Sequence, residues 1–278
     1  MRITQNGKIE NKEEEEIASF LINEGYEAFN DVPLCCVLSG SRAYGLSVEE
    51  SDRDFLGIHL MDTWDCLEHP DFRAKTQVIR QRFSEDLEPM PINIRGGAIS
   101  LDSFEIWKFI SLYLKGSFVA YELLYLPTVF DEPGSSSLFS LMREGITNRI
   151  GKAARGNAMH HWVKNKSSRK IAAIAYYRLM QAIFFLRERE FEWNIGNLLD
   201  YMEGSGIVNA GKVVIGKYIE PEMRTSPIVQ VEEVGQEIRR LIDEVDKAGV
   251  TTLLPDRVPK DVLEAIRQRV KLSRSAMI

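Results

Sequence analysis

Two aspartates spaced by one residue, Asp52 and Asp54, have the type and spacing best suited to chemistry in this sequence. The residues around them predict a strand, in which positions i and i+2 lie on the same face. Two neighbouring carboxylates repel each other unless a positive group lies between them. Mg²⁺ is a suitable partner, because it is commonly bound by one or two carboxylates together with substrate phosphates. The pair therefore predicts a site for a divalent cation.

A Gly-Ser pair, Gly40 and Ser41, precedes these aspartates and follows an apolar run at 32–38 that predicts a buried strand. A turn from a strand into a helix presents backbone N–H groups, and the helix N-terminus favours anions. Gly40 would let a phosphate approach the backbone, and Ser41 would add a hydroxyl donor. Arg42 and Tyr44 follow directly and are placed to contact a triphosphate or a base.

The order of these residues resembles the core motif of the DNA polymerase β-like nucleotidyltransferase superfamily: Gly-Ser, a ten-residue spacer, then Asp52-Arg53-Asp54 between apolar residues. The fuller stretch GSRAYGL…SDRDFLGI looks more like one branch, the predicted nucleotidyltransferases found beside RNA ligases. Segments at 103–127, 170–190 and 253–266 look similar to the same branch. The resemblance implies transfer of a nucleoside monophosphate from a nucleoside triphosphate to a hydroxyl acceptor, with release of pyrophosphate.

The resemblance also implies a set of metal ligands. Asp52 and Asp54 would bind both ions of a two-metal centre, with Mg²⁺ or Mn²⁺ as the cofactor. A third carboxylate is required on a later strand, and Asp102 is the choice because it follows apolar residues and precedes a predicted helix. Glu85 and Asp86 are the alternatives. The third carboxylate would bind one ion and help to activate the acceptor hydroxyl as a general base.

The segment 145–187 is strongly basic, with nine Lys and Arg residues and no Asp or Glu, in a chain of net charge −6. It favours an anionic partner such as phosphate or RNA, with a solvated helix face as the alternative. By the resemblance, Lys170 and Arg178 contact the nucleotide, and their separation by about two helical turns puts them on one face. The branch commonly has a His one turn before the Arg, where this chain has Ala175.

The hydrophobic pattern predicts an α+β chain in two domains: a small mixed-sheet, palm-like nucleotidyltransferase domain at 1–129 and a mostly helical nucleotide- or substrate-binding domain at 138–278. The stretch DEPGSSS at 131–137 is the predicted linker. Strands are predicted at 32–38, 52–60, 76–83, after the turn in 92–101, and at 212–219. Helices are predicted at 11–29, 43–49, 103–114, 117–126, 168–190, 231–248 and 260–272.

Composition narrows the functional class. With 44% hydrophobic and 27% charged residues, the chain has the composition of a globular protein, and its acidic balance excludes a general polyanion binder. We expect no membrane partner, because no apolar run approaches the length of a membrane span. The three cysteines suggest no disulfide framework, so we expect a reducing, cytoplasmic location.

The favoured interpretation is a transferase that acts on an RNA end or another hydroxyl. The alternatives are a non-catalytic nucleotide- or RNA-binding regulator and a toxin–antitoxin component, the latter because Arg155 and His160 resemble a ribonuclease signature of HEPN type. The nucleotide, the acceptor and the oligomeric state stay open.

Overall fold

The computed structural model describes residues 16–17, 19–21, 23, 32–49, 51–61, 78–83, 98–132, 135–204 and 208–275. Within these residues five strands form one mixed sheet in the order β3-β4-β2-β1-β5. The strands are β1 (Val32–Ser39), β2 (Arg53–Leu60), β3 (Val78–Phe83), β4 (Ile99–Glu105) and β5 (Thr128–Asp131).

Helices surround the sheet and make up most of the chain after it. One short helix, α1 (Gly40–Ala43), connects β1 to β2, and α2 (Ile106–Leu114) and α3 (Phe118–Tyr125) separate β4 from β5. The remaining helices are α4 (Ser135–Glu144), α5 (Arg149–Lys164), α6 (Arg169–Glu188), α7 (Ile195–Glu203), α8 (Asn209–Ile219), α9 (Val231–Thr251) and α10 (Lys260–Ser275). A short 3₁₀ turn, Pro221–Met223, follows α8. The predicted α+β fold class, with a mixed sheet followed by a mostly helical region, is confirmed.

The register of the sheet decides which side chains lie together. β1 and β2 are antiparallel, with Ser39 opposite Asp54. β2 and β4 are parallel, with Asp54 beside Ser100 and Leu56 beside Asp102. Because neighbours in register share a face and side chains alternate along a strand, Asp54, Ser100 and Asp102 lie on one face of the sheet.

Strand β4 extends further than the sequence predicts, so the helix predicted at 103–114 begins later, at Ile106. Ser103 is buried in the strand, where its hydroxyl lies 2.8 Å from His59 Nδ1. Glu105 caps the helix, since its carboxylate accepts a hydrogen bond of 2.6 Å from the Trp107 backbone N–H. Asp102 is therefore a strand residue and has no part in capping α2.

Other predicted elements also differ from the structure. The strand predicted at 212–219 is wrong, because this stretch belongs to α8, which buries Val214, Ile215 and Tyr218 at helical spacing. Its β-branched residues misled the prediction, since packing against α6 overrides β propensity. The short helix predicted at 43–49 is also wrong: it lies at Gly40–Ala43 instead. Glu85, Asp86 and most of the helix predicted at 11–29 lie outside the described residues.

Helix α6 connects the helical region to the sheet. It packs against α5, α7, α8 and α9, and its Tyr177 ring stacks on Tyr44 next to α1 at 4.2 Å between centroids. One buried apolar cluster continues from the sheet into these helices. The division into domains at 1–129 and 138–278 stays a prediction. No helix in the described part of the chain is long and apolar enough to cross a membrane.

Candidate active site

The Gly40-Ser41 turn and the aspartate pair meet at the ends of β1 and β2. Gly40 has φ +65°, a backbone conformation that other residues adopt only with strain. A Cβ atom at this position would lie well under 3.0 Å from Asp54 Oδ2, so no side chain fits between the turn and the carboxylate. Glycine is thus required at position 40 for two reasons: the positive φ of the backbone and the close approach of the Asp54 carboxylate.

The two carboxylates are held by the start of β4. Asp52 is exposed, and its Oδ1 accepts a hydrogen bond of 3.0 Å from the Ala98 N–H. Asp54 is half-buried, and its Oδ1 accepts a hydrogen bond of 2.7 Å from the Ser100 hydroxyl. These bonds orient both acids before any ligand binds.

Both carboxylates open into a cavity of about 410 Å³, within the size range of small-molecule sites. The N-terminal part of the chain contributes one wall and the helical region the other. The lining residues are Gly40, Ser41, Tyr44, Leu46, Val48, Ser51, Asp52, Asp54, Lys170, Ile174, Tyr218, Arg224 and Thr225. Six of the predicted site residues are in this set, whereas Arg42, Asp102 and Arg178 are not.

Arg42 fixes the loop that leads into β2. Its Nη2 donates to the Ser51 and Glu49 carbonyl oxygens at 2.9 and 3.0 Å, and its Nε lies 3.2 Å from the same Ser51 oxygen. These bonds hold the residue immediately before Asp52. Arg42 thus stabilises the loop that leads to Asp52 and is not among the lining residues of the cavity. Its predicted contact with a triphosphate stays a prediction.

Tyr44 is buried in a polar cluster behind the Gly-Ser turn. Its hydroxyl donates to Glu122 Oε1 and lies 3.2 Å from the Ser39 hydroxyl. Burial raises the pKa of both Tyr44 and Glu122, and the nearby Arg178 charge opposes part of the rise for each. The stack on Tyr177 completes the cluster. It fixes the residue that follows α1, and so positions the turn that faces Asp54.

Arg178 belongs to this buried cluster more than to the cavity. Its Nη1 donates a hydrogen bond of 2.8 Å to Asn157 Oδ1, and its guanidinium lies 5.5 Å above the Phe118 ring. Its role as a nucleotide contact stays a prediction. Lys170, at the start of the same helix, is exposed and lines the cavity, and its predicted contact with the nucleotide stays a prediction as well.

Asp102 shares the face of the aspartate pair but lies two residues beyond Ser100 along β4. The position beside Asp54 is therefore occupied by a serine. In the described ranges, no group of three or more His, Cys, Asp or Glu residues could hold a metal ion. Asp102 as third ligand stays a prediction.

Seven of the lining residues were missed by the sequence interpretation, and three of them, Ser51, Tyr218 and Arg224, form one hydrogen-bonded group. Arg224 donates a hydrogen bond of 3.0 Å to Ser51 Oγ and one of 2.8 Å to the Tyr218 hydroxyl. Its guanidinium also lies 4.4 Å above the Tyr218 ring. Nothing in the sequence pairs residues so far apart; the tertiary fold brings the loop after α8 against the loop before β2.

The basic segment is less open than its composition suggests. Two arginines of the segment form ion pairs, Arg155 with Asp246 and Arg187 with Glu244. Two others donate to backbone carbonyls, Arg149 to that of Asp256 and the buried Arg169 to that of Pro227. Arg155, half of the ribonuclease-like signature, is thus engaged in an ion pair. The exposed cations of the segment are Lys152, Arg155, Lys164, Lys166, Lys170 and Arg187.

Comparisons with known proteins add little to this geometry. No known protein family and no curated protein matches the chain. A solved structure that is similar, a nucleotidyltransferase-like protein from Exiguobacterium sibiricum 255-15, has 9% sequence identity and a TM-score of 0.31, covering 85% of this chain and 74% of that chain. At this level the likeness supports neither a fold nor a function.

Proposed function

We propose that this protein is a metal-dependent nucleotidyltransferase, which transfers a nucleoside monophosphate from a nucleoside triphosphate to a hydroxyl. The observation that carries the proposal is one cavity that joins Asp52 and Asp54, the Gly40-Ser41 turn and the Lys170 cation. The aspartates suit a metal ion, and the turn and the lysine suit phosphates. The sequence resemblance described above points to the same chemistry.

Asp52 and Asp54 would hold the metal ion, Mg²⁺ or Mn²⁺. They fit it because both are acids at the start of β2, each held by a hydrogen bond from the start of β4, and because glycine at position 40 keeps side-chain atoms away from Asp54 Oδ2. Substrate phosphates and water would complete the coordination. When bound, the ion neutralises phosphate charge and lowers the pKa of a coordinated hydroxyl.

The chain's own residues bind and orient the nucleotide. The Ser41 hydroxyl and the backbone of the turn would donate to phosphate oxygens, and Lys170 would balance their charge across the cavity. The acceptor oxygen bonds to the α-phosphorus, the bond to the bridging α–β oxygen breaks, and pyrophosphate leaves. The acceptor proton would pass to water beside the exposed Asp52 carboxylate.

An RNA end is the proposed acceptor. Two exposed lysines, Lys164 and Lys166, lie at the end of α5 and in the turn that leads to α6, a few residues before the cavity residue Lys170. Cations arranged in this way attract a polyanion independently of its sequence. A protein or small-molecule hydroxyl is the other acceptor class.

A non-catalytic nucleotide-binding module is the second candidate. The observation that favours it is Ser100, which occupies the position beside Asp54 where a carboxylate would strengthen the metal site. Such a module would bind nucleotide without transferring any part of it.

The test is incubation of the purified protein with each nucleoside triphosphate labelled at the α-phosphorus, Mg²⁺ or Mn²⁺, and total RNA. The control is the double variant Asp52→Asn/Asp54→Asn, which keeps the size of both side chains and removes their charge. Label that enters RNA only with the intact protein supports the proposal. Label that appears on protein or on a small molecule would keep the transferase and identify that molecule, in place of RNA, as the acceptor. Nucleotide binding without any transfer would support the second candidate.

A further inference from the structure

We propose that Arg224 is a binding residue for the polyphosphate group of the nucleotide, on the cavity wall contributed by the helical region. This inference rests on the proposed function, because it names a further contact for the same substrate. Arg224 lies after the 3₁₀ turn and lines the cavity that contains Asp52 and Asp54. Neither charge nor motif in the sequence pointed to it.

Arg224 is already oriented before a ligand binds. Ser51 Oγ accepts from its Nη1, the Tyr218 hydroxyl accepts from its Nη2, and the guanidinium stacks over the Tyr218 ring. Tyr218 is itself buried at the end of α8. A guanidinium held on its face and at two edges loses little further freedom when it binds an anion.

Donors are left over for that anion. A guanidinium carries five N–H groups, and these two hydrogen bonds use two of them. The side chain is half-buried rather than fully buried, and it lies at the cavity surface. Phosphate oxygens can accept two parallel hydrogen bonds from the fork of an arginine.

Anchoring of Ser51 does not require Arg224. The Ser51 hydroxyl accepts a second hydrogen bond of 2.9 Å from the Val48 N–H, and Arg42 holds the Ser51 carbonyl. An arginine kept only to fix this residue would duplicate bonds that already exist. Its placement at the cavity, together with Lys170, is explained by an anionic ligand.

The charges of the cavity fit a metal-bound polyphosphate. Asp52 and Asp54 lie on the sheet wall, and Lys170 and Arg224 on the helical wall. A chain of phosphates that shares the metal ion at one side would meet both cations at the other. The helical region would thus supply part of the substrate site, so neither predicted domain would bind the nucleotide fully by itself.

The test is calorimetric titration of the full chain with inorganic tripolyphosphate in the presence of Mg²⁺. The variants are Arg224→Gln, which removes the charge, Arg224→Lys, which keeps it, and Ser51→Ala, which removes the hydroxyl that anchors Arg224 and that also accepts from the Val48 N–H. Arg240→Gln, an exposed position on α9, is the matched control. We expect Arg224→Gln to weaken binding at least about tenfold, as for a hydrogen bond to a charged group, with partial recovery in Arg224→Lys.

Ser51→Ala separates binding from anchoring. We expect it to weaken binding much less than Arg224→Gln, whereas an equal loss would overturn the inference by making Arg224 a structural anchor. Wild-type affinity in Arg224→Gln would overturn it as well. If Arg224→Gln fails to fold, the comparison of Arg224→Lys with wild type decides, since lysine lacks the fork.

Two combinations of results distinguish failure of this inference from failure of the proposed function. Absence of label transfer with Arg224-dependent tripolyphosphate binding would refute the transferase and keep the binding residue. Label transfer with tripolyphosphate affinity independent of Arg224 would keep the transferase and refute this inference.

Discussion

Replacing Gly40 by alanine is the change for which the structure predicts the sharpest loss. The left-handed backbone at φ +65° disfavours alanine by about 1–2 kcal/mol. The added Cβ would also meet Asp54 Oδ2 at under 3.0 Å. Because ordinary contact begins at 3.4 Å, the carboxylate must withdraw from the turn. A displacement of about 1 Å at a reacting centre costs on the order of 100-fold in rate.

Gly156→Ala is the matched control. Gly156 lies in the middle of α5, where an added Cβ meets no atom within 4 Å. There alanine is expected to raise the free energy of unfolding by about 1 kcal/mol through its helix propensity. The two substitutions add the same methyl group to the same chain, but Gly40→Ala is expected to lower the free energy of unfolding and Gly156→Ala to raise it.

The assay is Mn²⁺ binding followed by electron paramagnetic resonance, together with thermal unfolding. We expect Gly40→Ala to weaken Mn²⁺ binding at least about tenfold, as for loss of a supporting contact at a metal site. Gly156→Ala should bind as wild type does. Wild-type Mn²⁺ affinity in a folded Gly40→Ala protein would refute the argument that the turn and Asp54 need their close approach.

Burial raises the pKa of the Glu122 carboxyl, so the folded state binds the carboxyl proton more tightly than the unfolded state does. The free energy of unfolding therefore falls as pH rises from the ordinary carboxyl range through the raised pKa. Glu122→Gln should flatten that part of the profile of melting temperature against pH; an unchanged profile would assign the dependence to other groups. Asp102→Asn should weaken Mn²⁺ binding less than Asp54→Asn, because the serine lies beside Asp54, and equal losses would establish Asp102 as a full ligand. Gly211→Ala should lower stability by about 1–3 kcal/mol in chemical denaturation, because its Cβ would overlap the Tyr176 ring; wild-type stability would mean that α8 shifts freely.

The sheet half of the site could be predicted from sequence because its signals are local. Gly40, Ser41, Asp52 and Asp54 lie within one β-turn-β segment, so short spacing and the period of two were enough to bring them together. The structure confirms the mixed sheet and the helical region that follows it. Lys170 was found through the resemblance, and it does line the cavity.

The rest of the site depends on long-range packing. Arg224 and Ser51 are brought together by the fold of α8 and the loop after it, which no periodicity reveals. Arg178 lies on the predicted helix, but its partners Asn157 and Phe118 come from neighbouring helices and hold it away from the cavity. Ion pairs between helices similarly neutralise Arg155 and Arg187, which the composition of the basic segment alone does not reveal.

The third carboxylate could not be settled from sequence because strand register is invisible there. Asp102 and Ser100 both lie on the correct face, and only the pairing of β2 with β4 shows which of them neighbours Asp54. A shift of two residues preserves the face and changes the neighbour. Sequence patterns identify the face of a strand far better than the level along it.

The most direct test of the transferase is to compare a nucleoside triphosphate labelled at the α-phosphorus with one labelled at the γ-phosphorus, in the presence of Mg²⁺ and the acceptor. The account predicts that the α label moves to the acceptor and the γ label appears in pyrophosphate, at a rate that collapses in Asp54→Asn. Release of the γ label as inorganic phosphate, or transfer that survives in Asp54→Asn, would contradict it.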